Sequence, residues 1–198
     1  MIAMAPVSLM VICATVAGIA TVMIKPVTAA EQKAHQHGQA SLHVTVEGQT
    51  LRIALDSPLE NLVGFERAPR NERERAAVQS MARELRAVEK HFVPSVKAGC
   101  RPTGVELESD VLDRGLLSAA GASPEEKSSA KGAAKDASRH ADLEASFVFR
   151  CERPAELSEL QVNLFDTFRR LIRIDVQVAG SKRQAAARLT AGARILKL

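Results

Sequence analysis

The sequence has no tryptophan and no tyrosine, and its six phenylalanines sit mostly where a core would need them. A nucleic-acid surface wants aromatic platforms for the bases and a basic stripe for the phosphates, and neither is visible. Lys and Arg number 27 against 23 Asp and Glu, a formal charge of +4, and the two signs are interleaved through most of the chain. That balance is weak evidence for any polyanionic partner. The signatures of common catalysts are missing too. There is no HExxH, no GxSxG elbow, no phosphate-cradling glycine loop and no Cys/His arrangement for nucleophilic attack, so the chain reads as a non-enzyme. Four of the five methionines, Met1, Met4, Met10 and Met23, fall in the first 24 residues, which argues against a thioether-based copper store.

Those residues also lack charge. Met1 to Ile24 carries no charged side chain, Lys25-Pro26 follows, and Val27-Thr28-Ala29-Ala30 offers small residues for a signal peptidase. The stretch 1–30 reads as a secretory signal cleaved after Ala30. An uncleaved anchor is the alternative, because the apolar run is long enough to span a bilayer and no Lys or Arg precedes it. Cys13 follows Val11-Ile12 rather than small residues, which argues against a lipoprotein site. The remainder, 31–198, is about 168 residues, a length that suits one domain with a single core and no membrane segment.

Cleavage leaves two of the three cysteines, Cys100 and Cys151. In an exported protein they read as one disulfide, worth roughly 4 kcal/mol by loop-closure entropy. A redox or metal role would need free thiolates, which an oxidising compartment opposes.

The chain is organised around Ala34 to Pro69, AHQHGQASLHVTVEGQTLRIALDSPLENLVGFERAP. His35 and His37 are two residues apart, so on extended chain their imidazoles share a side. Leu42, Val44 and Val46 then alternate with polar residues, and after Gly48 the alternation resumes at Leu51, Ile53 and Leu55, the pattern of a half-buried β-hairpin. From Asn71 to Phe92 the period changes. Val78, Met81, Leu85, Val88 and Phe92 line one helical face, Asn71 with Glu74 supplies an N-cap and reciprocal acid, and Val93-Pro94 ends the helix. His91 lies beside that seam and is expected at its boundary with its polar edge in water.

Beyond Cys100 a strand runs to about Leu112. The segment 114–139 is dominated by Ala, Ser, Gly and Lys and is expected to be a flexible low-complexity insertion. His140 opens the longest clean strand signal of the second half, with Leu143, Ala145, Phe147 and Phe149 on one face and His140 and Asp142 at the entry of the other. A short strand over Leu160–Leu164 and a turn of helix from Phe165 to Arg170 follow. Ile172, Ile174, Val176 and Val178 alternate in another strand, and the end looks like a hairpin turning at Gly180-Ser181 with Ala185, Ala187 and Leu189 inside. The whole predicts a single α+β domain: an antiparallel sheet, one main helix and a long disordered loop.

Four pieces together, AHxHG, the SPxxNLVGFE run from Ser57 to Glu66, AGC at Ala98 to Cys100 and HADLEASFVFRC from His140 to Cys151, resemble the zinc-regulated periplasmic zinc-binding proteins of Gram-negative bacteria, the ZrgA type. The resemblance implies an exported periplasmic protein that holds zinc or delivers it to an uptake system, with zinc and an uptake component as its partners. Two departures imply a reduced metal capacity. The family's glutamate-histidine after the GF pair is here Glu66-Arg67, and its histidine-rich insertion is here a segment without histidine.

Zinc is usually held by four nitrogen, oxygen or sulfur ligands, so the His35/His37 pair needs help. The best supply is His140 with Asp142, another i,i+2 pair. The expected metal ligands are therefore His35, His37 and His140, with Asp142 as the fourth or as the acceptor that fixes an imidazole tautomer. His43 is the reserve, and Glu66 is a weaker candidate. The alternative is an exported interaction or scaffold module of the same fold that has lost metal binding.

Overall fold

The computed structural model describes residues 37–118, 141–180 and 184–198. The expected signal peptide, His35, His140, Ser181 and most of the low-complexity insertion lie outside the described residues. Residues 34–198 make one compact unit.

The hairpin signal is met in full. β1 (Gln39–Glu47) and β2 (Thr50–Pro58) pair antiparallel from Ser41–Asp56 to Glu47–Thr50, with Gly48 at φ 56 in the turn. After β2 come a short helix α1 (Leu59–Val63), the main helix α2 (Glu72–Arg86) and a single turn α3 (Val88–His91). β3 (Phe92–Pro94) leads to β4 (Cys100–Glu108) and the turn α4 (Arg114–Leu117). The second half contributes β5 (Asp142–Cys151), β6 (Glu159–Val162), α5 (Leu164–Thr167), β7 (Arg173–Gly180), β8 (Gln184–Thr190) and β9 (Ile195–Lys197).

Six strands form the main sheet in the order β4-β5-β2-β1-β7-β8, and β3-β6-β9 form a second, smaller one. The expectation of an antiparallel sheet needs correcting at one place, because β1 and β7 run parallel, Gln39 opposite Arg173 through Val46 opposite Gly180. Alternation reports which face a side chain takes and is blind to strand direction. Here the long excursion between β2 and β7 gives the chain room to return parallel.

One face of the sheet is the core. Leu42, Val44, Leu51, Ile53, Leu143, Phe147, Phe149, Ile174 and Val176 are buried there. They join one cluster with Val78, Met81, Ala82 and Leu85 of α2. Phe92 packs on Phe147 with ring centroids 4.8 Å apart. Each large side chain so buried contributes about 1.5–3 kcal/mol. The other face is open and polar, and one lateral row reads Glu108, Glu144, Asp56, Ser41, Asp175, Arg188 across the six strands. Cys100 and Cys151 face each other in the β4–β5 ladder and are joined by a disulfide, as expected.

Four local expectations are corrected. The helix stops at Arg86 and restarts as α3, because Ala87 takes ψ 60, outside the helical range, although its N–H still bonds to the carbonyls of Arg83 and Glu84. Asn71 does cap it, accepting from Glu74 N at 2.9 Å, but the Glu74 carboxylate accepts from Arg70 N instead of reaching back to Asn71. Arg114–Leu117 is not part of a loose excursion, since Leu116 and Leu117 are buried and Leu117 O accepts from Arg86 Nη2 at 2.7 Å. His91 is only 1% exposed: Nε2 donates to Glu84 O at 2.9 Å, Nδ1 is buried without a hydrogen bond, and the ring lies 5.9 Å from that of Phe168. Its neighbours in sequence pointed to a helix end, where solvent is the default. The α5 segment covers that end here.

Candidate metal centre

The site grows out of the way α1 is fastened to the start of β1. Asn61 is 2% exposed and makes three hydrogen bonds. Its Oδ1 accepts from Gly38 N at 2.7 Å, and its Nδ2 donates to Gln39 O at 2.8 Å and to Ser57 Oγ at 3.3 Å. Gly38 is gripped from its other side as well, its carbonyl accepting from Ile172 N at 2.7 Å and Arg173 N at 2.9 Å. It adopts φ 80, and a Cβ there would stand 2.8 Å from Ile172 Cδ1. Only glycine meets both demands. Ile172 itself is 69% exposed and stands just before β7, not the first inward residue of that strand as its spacing implied, with its N–H engaged by the Gly38 carbonyl.

With Gly38 fixed, His37 is held over α1. Its Nδ1 contacts Glu60 Oε2. That oxygen is screened from solvent. At the other end of α1, Gly64 takes φ 88 and donates to Glu60 O at 3.0 Å, and this left-handed cap turns the chain back so that Glu66 returns to the same place. His37, Glu60 and Glu66 bring one ligand atom each to within 4.8 Å of one another, the metal-capable group of this size among the described residues. His37 and Glu66 are exposed and Glu60 is half-buried.

The donor set fits zinc. One imidazole nitrogen and two carboxylate oxygens are ordinary ligands for it. Two ligands on one zinc at about 2.1 Å stand no more than about 4.2 Å apart, a separation that atoms within 4.8 Å of one another reach by small side-chain movements. The two exposed side chains can make that adjustment by rotation. Glu60 Oε2, screened from solvent and facing the imidazole nitrogen, is the atom that such an ion would share with His37.

Of the residues expected from sequence, His37 is in this group and so is Glu66, the weaker candidate. Asp142 sits opposite Pro58 in the β2–β5 ladder and lines a separate hollow of about 220 Å³ with Glu108, Ser109, Asp110, Arg114 and Glu144. His43 is on the open sheet face beside Asp56 and Glu144 and lies outside the three-ligand group. Glu60 was missed. Its signal was present, since Glu60 and Glu66 are the two acids of the SPxxNLVGFE run, but only the left-handed turn at Gly64 reveals that they converge.

Arg67, which stands where a histidine was expected from the resemblance, turns away from the group. Its guanidinium makes a forked pair with Glu74, at 2.6 and 2.9 Å, and lies 5.1 Å from the centre of the Phe65 ring. That pair, with help from Arg70 N, pulls the Glu74 carboxyl down to about 2.

The described residues thus bring one imidazole and two carboxylates, a donor set that a divalent cation can use, together beside the start of the first hairpin. The ZrgA family, described as zinc uptake proteins, matches residues 34–198, and the chain belongs to that family. No curated protein matches it. No helix among the described residues is long and apolar enough to cross a membrane.

Proposed function

We propose that this protein is an exported periplasmic carrier that holds zinc as cargo and passes it to an uptake system, with no catalytic step of its own. The observation that carries the reading is the convergence of His37, Glu60 and Glu66 at a point fixed by Asn61, Gly38 and Gly64. His35 and His140 are assigned as further ligands. His35 is two residues before His37, and His140 is bonded to Ala141, whose carbonyl accepts from Leu59 N at 2.8 Å at the foot of the helix that carries Glu60. Asp142, at the same strand entry, stays a candidate acceptor that orients an imidazole. Imidazole binds zinc only when neutral, so affinity should fall in mild acid.

The test is calorimetric titration of the signal-less chain with zinc, beside His37→Ala, Glu60→Gln and His140→Ala. Binding near one ion per chain that weakens at least tenfold in the first two variants, with their unfolding curves little changed, supports the reading. A second reading, a scaffold that has lost metal binding, is favoured by the engagement of Arg67 with Glu74 and by the histidine-free insertion. It predicts no zinc heat in the wild type and indifference to all three substitutions.

A further inference from the structure

The two oxygens of Glu60 face different groups. Oε2 meets His37, while Oε1 lies 3.9 Å from Arg170 Nη1. Arg170 is seated there by the fold. A Cβ at position 64 would stand 3.2 Å from its Nη2 and 3.3 Å from its Cζ and Nε, so the glycine that ends α1 also leaves the space the guanidinium occupies. From the other side its backbone is bracketed by Phe168 and Leu171, both buried, with Leu171 N donating to Phe168 O at 3.0 Å and Ile172 N to Gly38 O at 2.7 Å. The cation and the imidazole thus reach Glu60 from segments that Gly38 ties together.

A guanidinium held beside a metal-ligating carboxylate neutralises that carboxylate when no metal is present and repels a divalent ion that approaches. We infer that Arg170 is a built-in competitor for Glu60, a residue that lowers the grip on zinc and speeds its release, which is what a carrier that hands over its cargo requires. This rests on the zinc reading above. The side chain is 63% exposed, so the ion pair shifts the equilibrium by at most about fivefold. Screened repulsion between Arg170 and the ion adds a few-fold more. Arg170→Gln should therefore bind zinc roughly tenfold more tightly, mostly through slower release.

The experiment is chelator competition with zinc at neutral pH, plus stopped-flow release, on wild type, Arg170→Gln, Arg170→Lys, Glu60→Gln and the Glu60→Gln/Arg170→Gln pair, with melting in EDTA as the check that each is folded. Tighter and slower-releasing Arg170→Gln, with Arg170→Lys close to wild type and the gain cut to a few-fold in the Glu60→Gln background, supports the competitor role. Wild-type zinc binding that Arg170→Gln leaves unchanged or weakens overturns it while the zinc reading stands. Equal tightening by Gln and Lys, or a tenfold gain that persists undiminished without Glu60, overturns it as well. Absence of zinc binding in both wild type and Arg170→Gln overturns both.

Discussion

Replacing Asn61 with alanine separates the motif from the geometry it creates. The substitution removes all three bonds of the buried amide and leaves the N–H of buried Gly38 without an acceptor. An orphaned buried donor costs about 1–3 kcal/mol. The carbonyl of Gln39 loses its amide donor, and the vacated volume adds a cavity term, so the expected loss is about 3 kcal/mol. For a domain of this size that is about 6–12 °C in melting temperature. The supporting partners of a metal ligand typically contribute 10–100-fold to affinity. Zinc should accordingly bind at least tenfold more weakly although His37, Glu60 and Glu66 are untouched. Urea unfolding followed by far-UV circular dichroism gives the first quantity, and chelator competition on the folded fraction gives the second. Asn61→Asp sharpens the test. It keeps the acceptor for Gly38 but turns an oxygen toward the Gln39 carbonyl, so it should be no more stable than the alanine variant at neutral pH and should recover in acid as it protonates. A loss below about 0.5 kcal/mol, or an undiminished zinc affinity in folded Asn61→Ala, would refute the claim that this amide positions the site.

Glu74 is depressed to about 2, first by Arg67 and then by Arg70 N, so its contribution is present above the ordinary carboxylate range near 4.5 and is lost as pH falls toward 2. Glu74→Gln should flatten the stability profile in that window as read by urea midpoints. His91 is held below its ordinary value of 6.5, chiefly by burial and against the pull of the Glu84 carbonyl, with Lys90, Glu84 and Asp166 as its charged neighbours. The unfolded chain takes up the proton first, so stability contributed by the neutral ring is present above about 6.5 and declines below it. His91→Phe should remove that part of the slope between pH 6.5 and 5, whatever its effect at pH 7.5. Removing the disulfide with Cys100→Ser/Cys151→Ser opens a loop spanning 51 residues. It should cost about 2–4 kcal/mol in the same unfolding assay, with the β4–β5 pairing as the region that loosens.

The hairpin, the helix and the long central strand could be read from periodicity because their buried faces repeat at 2.0 or 3.6 residues. The cysteine pair could be read because, in the exported protein that the sequence predicts, two thiols have little else to do than pair. What the pattern could not carry was relative placement. Leu116 and Leu117 looked like part of a polar excursion because two leucines in a low-complexity context give no period. His91 looked wet because helix ends usually are, and the element that buries it arrives some 70 residues later in the chain. At the site, the histidines announced themselves by residue type. Glu60 did not, because an acid on a short helix is common and only φ 88 at Gly64 brings Glu66 back to it. Asn61 was equally silent, since nothing in a sequence distinguishes a buried amide with three bonds from one in water.

The parallel pairing of β1 with β7 sets an order of events. A chain that emerges from its N-terminus presents His37 early, together with β1, β2 and α1, but the Gly38 carbonyl does not meet the N–H groups of Ile172 and Arg173 until β7 follows. Arg170 arrives in the same late segment. Fragments that end before β7 therefore contain every residue of the three-ligand group and not the clamp that holds it. His37, Glu60, Glu66 and Arg170 come together at one moment, when the last third of the protein docks, so the group is assembled only in the complete domain.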